Sequence, residues 1–290
     1  MTKFLIIGDL HGNKPNIYFK DFDAIIAPGD FCSDAPRKFM FQALKAKLEN
    51  NNLKLQWYDL VGKKEAEKMF KKSLKDGRTI LKFLDSFNVP VYCVPGNWDW
   101  IDRDYDWKVL QGDYYHNFLI KGLKNIVDVH HKRIDNDKYE FIGHGITSGP
   151  EYPQKKEDLK RLKPKELKSM KKEYEGQYNK VSSLFKKTKK PVIFMSHNVP
   201  YNTPIDKIIN LDSPRNGQHF GSVIAKEMIK KYQPLVCIGG HMHEHFTKCK
   251  VGKTICINAG FGSYVNVLLE IDDNKIKNIK FYKGKEDYLH

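Results

Sequence analysis

Long apolar runs are missing from this 290-residue chain. None approaches the ~18 residues that a helix needs to span a bilayer, so no membrane partner is expected. The chain runs directly into the apolar stretch Phe4 to Ile7, with no charged region and no small-residue cleavage site, and no secretory leader is read there. Cysteine is scarce: the five residues are odd in number and form no Cys-x-x-Cys pair, which removes the spacing of a zinc ribbon or redox motif. Reduced thiols and a cytoplasmic location are the expectation. Cys249 and Cys256 flank the turn Val251-Gly252-Lys253, which sets them up to face each other across two strands. Also absent are a glycine-rich loop ending in Gly-Lys-Ser/Thr and a Gly-x-Ser-x-Gly elbow, so P-loop phosphoryl transfer and serine acyl transfer have no footing.

Acidic residues are outnumbered, 35 against 50 basic ones, and the net charge of +15 directs attention to polyanions. The excess is uneven: residues 151–190 hold fourteen Lys and Arg against six Asp and Glu. A solvated lysine-rich helical face and a nucleic-acid contact surface both account for it. Arginine and interleaved aromatics are sparse in that stretch, which leaves the choice open.

Short β-branched and apolar runs at Phe4 to Ile7, Ala24 to Ala27, Val89 to Val94, Tyr139 to Ile142, Val192 to Met195 and Leu235 to Ile238 read as buried strands. Helical periodicity lies between them, on Ala66, Met69, Phe70, Leu74, Leu81 and Leu84, and again on Val223, Ile224, Met228 and Ile229. Alternating strands and helices predict an α/β core. After residue 244 the pattern becomes a string of antiparallel strands over 246–250, 254–257, 265–271 and 276–282. With no repeat, flexible linker or low-complexity segment, the expectation is a single domain over 1–290 carrying two lysine-rich helical insertions, at about 36–87 and 150–190.

Five segments, four of them punctuated by glycine, follow these strands: Gly-Asp-Leu-His-Gly at 8–12, Pro-Gly-Asp at 28–30, Pro-Gly-Asn-Trp-Asp at 95–99, Ser-His-Asn at 196–198 and Gly-Gly-His-Met-His at 239–243. In open α/β sheets, ligands gather beyond the carboxyl ends of the strands, where these segments sit. Asp9, His11, Asp30, Asn97, His197, His241 and His243 offer carboxylate, amide and imidazole donors suited to manganese, iron or zinc. Asp30 alone would be a turn former and His11 alone a surface histidine; their ordered recurrence is what points to metal.

These segments resemble the signature of the calcineurin-like metallophosphoesterases over residues 8–243. The resemblance implies a four-layer α/β/β/α sandwich of two mixed sheets. It also implies two divalent cations, manganese first with iron, zinc or nickel as alternatives. Asp9, His11 and His243 would hold one, Asn97, His197 and His241 the other, and Asp30 would bridge them. Hydrolysis would use a hydroxide shared by the two cations. Asp30, Asn97, Asp99 and His197 are then the catalytic set.

One position departs from the family pattern. Most relatives carry histidine where this chain has Trp98, and indole does no acid-base chemistry near neutrality. General acid catalysis, worth roughly 10²- to 10⁴-fold, then needs another source. Trp98, His219 and His144 are the candidate substrate-contacting residues, the two histidines being possible substitutes for the missing acid. His116, His130, His131, His245 and His290 carry no motif. The stretch from Ser196 to Glu244 is similar to a prokaryotic, largely archaeal branch related to class III cyclic-nucleotide phosphodiesterases, which implies a phosphodiester substrate, a nucleotide or a nucleic acid. Alternatives are a nuclease acting on DNA or RNA and a non-catalytic phosphate-binding scaffold. Oligomeric state is not readable.

Overall fold

Alternation along the apolar runs decides where each side chain goes. The computed structural model describes residues 1–50, 53–101, 106–211, 213 and 215–284; His290 lies outside them. In β1 (Thr2–Ile6), Phe4 and Ile6 face one core and Leu5 faces another, as the period of two in a strand requires. The same split recurs in β2 (Ala24–Ala27), where Ile26 joins Phe4 and Ile25 joins Leu5.

The first sheet continues through β3 (Val91–Cys93) and β4 (Ile126–Asp128), parallel to β1 and β2. Its other side is the antiparallel pair β11 (Val265–Asp272) and β12 (Lys275–Lys283), giving the order β12-β11-β1-β2-β3-β4. The second sheet is built from β5 (Arg133–Asp135), β6 (Glu140–His144), β7 (Val192–Asn198), β8 (Val236–Gly240), β9 (Lys248–Val251) and β10 (Thr254–Asn258). Its order is β5-β6-β7-β8-β10-β9, with parallel strands inside and an antiparallel strand at each edge.

Between the sheets lie Phe4, Ile6, Ile26 and Tyr92 from one side and Phe141, Ile193, Met195 and Ile238 from the other. Outside the first sheet, α3 (Lys63–Asp85) covers Leu5, Ile25 and Val91 with Phe70, Leu74, Leu81 and Leu84. Outside the second, α5 (Pro164–Phe185) and α6 (Val223–Tyr232) cover Ile142, Phe194 and Cys237 with Val181, Phe185, Ile224 and Met228. Two mixed six-stranded sheets therefore lie between helical layers, the α/β/β/α sandwich that the resemblance implied. Residues 36–87 supply α1 (Arg37–Glu49), α2 (Trp57–Val61) and α3, and residues 150–190 supply α4 (Lys156–Arg161) and α5.

Periodicity does not anticipate β4 and β5, which at three residues each are too short to show it. The five cysteines are all free, and Cys256 on β10 sits in register with Cys249 on β9, the facing arrangement expected of the hairpin. Among the described residues no helix is long and apolar enough to cross a membrane.

Phe141 is fully buried, stacks on Tyr92 at 3.7 Å between centroids and meets the edge of Phe4 at 6.2 Å. Phe141→Ala should lower unfolding free energy by about 3–5 kcal/mol in urea titration. A loss below about 1 kcal/mol would show that the intersheet core is not tightly packed there.

Candidate metal centre

Parallel strands deliver their carboxyl ends to one rim of each sheet, and the five motif segments meet across that rim. Asp9 and His11 follow β1, Asp30 follows β2, Asn97 follows β3, His197 lies near the end of β7, and His241 and His243 follow β8. Two trios form. In Asp9, His11 and His243, and likewise in Asp30, His197 and His241, one donor atom per residue lies within 4.8 Å of the others. Asn97 joins the second trio, its Oδ1 2.9 Å from Nε2 of His197. Asp30 stands between the trios: its Oδ2 is 3.5 Å from Nε2 of His197 and 3.8 Å from Nε2 of His11. The structure thus brings together all seven residues singled out as ligand candidates.

The cluster is rich in electron pairs. Nδ1 of His197 donates to the Pro28 carbonyl at 2.8 Å, which turns Nε2 toward Asn97 and Asp30. Burial, reinforced by repulsion from Arg37 and neighbouring imidazoles, holds His11 and His241 down to about 3. Burial followed by the facing His11 holds His243 well below its usual value. Neutral imidazoles are the ligand form. Burial and then the Asp30 charge push the Asp9 carboxyl well above the usual range. Asp9 Oδ1 and both ring nitrogens of His11 are buried without a hydrogen-bond partner. Unpartnered buried donors of this kind are costly alone and suit a divalent cation, so the residues present fit a pair of metal ions.

Backbone strain aims the donors. Asp9, His11, Asp30 and His241 have φ of 50°, 45°, 56° and 65°, in the left-handed region that non-glycine residues seldom adopt. Each such residue costs about 1–3 kcal/mol. Asp99 braces this geometry: it is buried and its carboxylate accepts from the amides of Asp30 at 2.8 Å, Phe31 at 2.8 Å, Cys32 at 3.0 Å and Gly96 at 2.7 Å. Burial and then the Asp30 charge push its carboxyl up to about 7, against those amides. Expected among the catalytic residues, Asp99 is fully occupied in tying the loop after β2 to the loop after β3. Gly240 has a steric reason, since a Cβ there would land on the Asp9 carboxylate, which accepts the His241 amide at 2.6 Å.

Trp98 donates its amide to Asp30 Oδ1 at 2.8 Å and sets its half-buried ring edge-on to His11 at 6.5 Å. Beside the centre opens a cavity of about 1400 Å³, lined by Ile146, Thr147, Ser148, Tyr174, Arg215 and His219 among others. Ser148 contacts His241 through its backbone, and Thr147 Oγ1 accepts the Asn198 amide, so this cleft abuts the trios. His219 lines it. His144 does not: its ring is buried, 3.4 Å from His131 and 3.2 Å from Glu151, in a polar string that ends on the first turn of α6. Sequence reasoning missed Asp206 and Glu151, which anchor His219 and His144; each is a lone acidic residue in a loop, and no spacing rule marks either.

A protein of Methanocaldococcus jannaschii described as uncharacterised is 35% identical to this chain over 89 residues, 30% of this chain. The match spans 38% of that relative's length. A Thermus thermophilus protein of known crystal structure superposes over 97% of this chain and 98% of its own at a TM-score of 0.55 and 13% identity, which is a likeness of fold. The sequence profile described as calcineurin-like phosphoesterase matches residues 2–245. With that match covering most of its length, the chain belongs to the calcineurin-like phosphoesterase family.

Proposed function

We propose that this chain is a phosphodiesterase working with two divalent cations, manganese first among them, in the cytoplasm, and that all of residues 1–290 serve that one site. Asp9, His11 and His243 would hold one cation, Asn97, His197 and His241 the other, and Asp30 would be shared between them. The observation that carries this reading is the Asp30 carboxylate within 4 Å of both trios. When bound, such a cation pair polarises the phosphoryl group, lowers the pKa of a water and stabilises in-line displacement. The chain's own groups orient that event: Pro28 fixes the tautomer of His197, and the Trp98 amide fixes Asp30.

A diester rather than a monoester is supported by the cleft. At about 1400 Å³ it has room for a second ester arm, and Tyr174, Tyr201 and Phe220 offer apolar faces along it. Its walls mix Lys47, Lys155, Lys163 and Arg215 with Glu151, Asp158, Glu166 and Glu173. That balance favours a nucleotide-sized substrate over a long polyanion. The nuclease reading draws on Lys165, Lys168, Lys171 and Lys172, which are exposed on α5.

Asp30→Asn should drop bound manganese from two ions toward one per chain and cut turnover at least about 10²-fold. Elemental analysis of the purified variant reads the first, and two retained ions with full activity would remove the bridging role. Bis(4-nitrophenyl) phosphate should be hydrolysed faster than 4-nitrophenyl phosphate in the presence of Mn²⁺. Metal-loaded protein that turns over neither ester would leave the scaffold reading instead. For the nuclease reading, affinity for single-stranded DNA should fall steeply between 50 and 200 mM salt, roughly 10³-fold or more if six phosphates are contacted; a flat response leaves the α5 lysines as ordinary surface.

A further inference from the structure

We infer that His219, held by the buried Asp206 carboxylate, donates the proton to the leaving-group oxygen, in place of the histidine that Trp98 displaces. The inference rests on the phosphodiesterase reading and assigns the acid of that same site.

Three sets of contacts converge on it. The loop after β3 brings no titrating side chain at position 98: Trp98 turns its amide to Asp30 and its ring to His11. The segment carrying His219 is tied to the strand that carries His197. Asn198 Nδ2 donates to the Phe220 carbonyl at 2.9 Å, the Ser222 amide to Val199 at 2.8 Å, and the Tyr201 amide to Ser222 at 2.9 Å. His219 is therefore positioned by the same strand end as a metal ligand candidate, and it lines the same cleft as Thr147 and Ser148, which touch Asn198 and His241.

The third set fixes the ring. Asp206 is fully buried and accepts from the amides of Asn202 at 2.9 Å, Thr203 at 2.8 Å and Gly221 at 2.9 Å. It faces Nδ1 of His219 at 2.7 Å, with the histidine side chain 32% exposed and the aspartate 0%. Asp206 already accepts three amide N–H groups and faces Nδ1 of His219 as a further acceptor, so Nδ1–H donates to it and Nε2 is the ring nitrogen turned away from it. A carboxylate-anchored imidazole with one free nitrogen is the usual form of a proton-transfer histidine. Tyr201 meets its ring edge-on at 6.2 Å, Lys207 pairs with it across a β-bridge, and Arg215 stacks on the neighbouring Phe220 at 4.6 Å. Arg215 places a permanent positive charge on the same wall, suited to the second ester arm or its phosphate.

In the step so assigned, the oxygen of water bonds to phosphorus and the bond from phosphorus to the ester oxygen breaks. The departing oxygen takes the electron pair and receives the proton from Nε2. The water's surplus proton passes to solvent, from which the neutral imidazole is recharged. Asp206 takes no part in the transfer and acts as a positioning residue.

The test compares His219→Asn with the unaltered protein, both loaded with Mn²⁺, on thymidine 5′-phosphate diesters whose second alcohol is 4-nitrophenol, phenol or methanol. With the acid gone, kcat on the methyl ester should fall about 10²- to 10³-fold, while the 4-nitrophenyl ester, whose leaving group needs no proton, changes by less than about threefold. The alkaline limb of the kcat profile should vanish with it. Independently of turnover, the His219 Cε1 resonance in the Zn²⁺-loaded unaltered protein, assigned by its absence from the variant or from His219→Gln, should move when inorganic phosphate is added. Equal loss on all three esters, a rise confined to KM, or a resonance indifferent to phosphate would overturn the assignment. If the unaltered protein hydrolyses none of the esters, the phosphodiesterase reading falls and takes this one with it; normal turnover with a flat leaving-group dependence in the variant removes the acid assignment alone.

Discussion

Buried negative charge and unshared electron pairs at one point are what the rest of this structure is organised around. Asp9 and Asp30 lie at its centre, and Asn97 and four imidazoles surround them, with Asp9 Oδ1 and both ring nitrogens of His11 lacking any hydrogen-bond partner. Water is excluded from most of the cluster, so solvent does not screen that charge. A positive charge placed inside the ring of donors makes the arrangement favourable. The demand for cations thus follows from the electrostatics of the folded chain as well as from its family.

Holding such a cluster together works against local backbone preference. Four of the ligand candidates adopt left-handed φ, a cost the sandwich meets by rigidity: the two sheets meet through a packed aromatic and aliphatic core, and the rim loops are tied across it. Asp99 is the clearest case, because one carboxylate takes four amides from two loops on neighbouring strands. Its position in the motif is explained by this bracing. Pro28 acts across the sheets, its carbonyl reaching from the first sheet's rim to orient His197 on the second.

Much of this was legible in the sequence, and the residues show why. Phe4 to Ile7 and Val192 to Met195 read as strands because a buried parallel strand needs a continuous apolar run, and the structure places β1 and β7 there. The donor residues read as a site because short polar side chains recur between glycines at strand ends. Asp206, Glu151 and the string from His130 to His144 were not legible. Their partners are set by how the loop over 201–222 and the start of α6 lie on the second sheet, and contacts such as Glu151 with Ser222, 71 residues apart, leave no local pattern. His144 reads as a cleft residue for the same reason: its motif-like glycines, 143 and 145, serve close packing against Val129 and Pro95 rather than access to a ligand.

The replacement at position 98 gains its meaning from the two helical stretches. Lys47 and Leu53 of the first and Glu166, Glu173 and Tyr174 of the second line one cleft, so segments that read as additions to the core form its walls. A large indole beside His11 narrows the first-sheet side of that rim, and the polar, proton-bearing groups lie on the second-sheet side, where Asp206, His219 and Arg215 are held. In the proposed mechanism the leaving-group acid lies on the second sheet, while the ligand candidates keep the family's positions. The net charge of +15 is not concentrated in the cleft, whose walls are nearly balanced in sign.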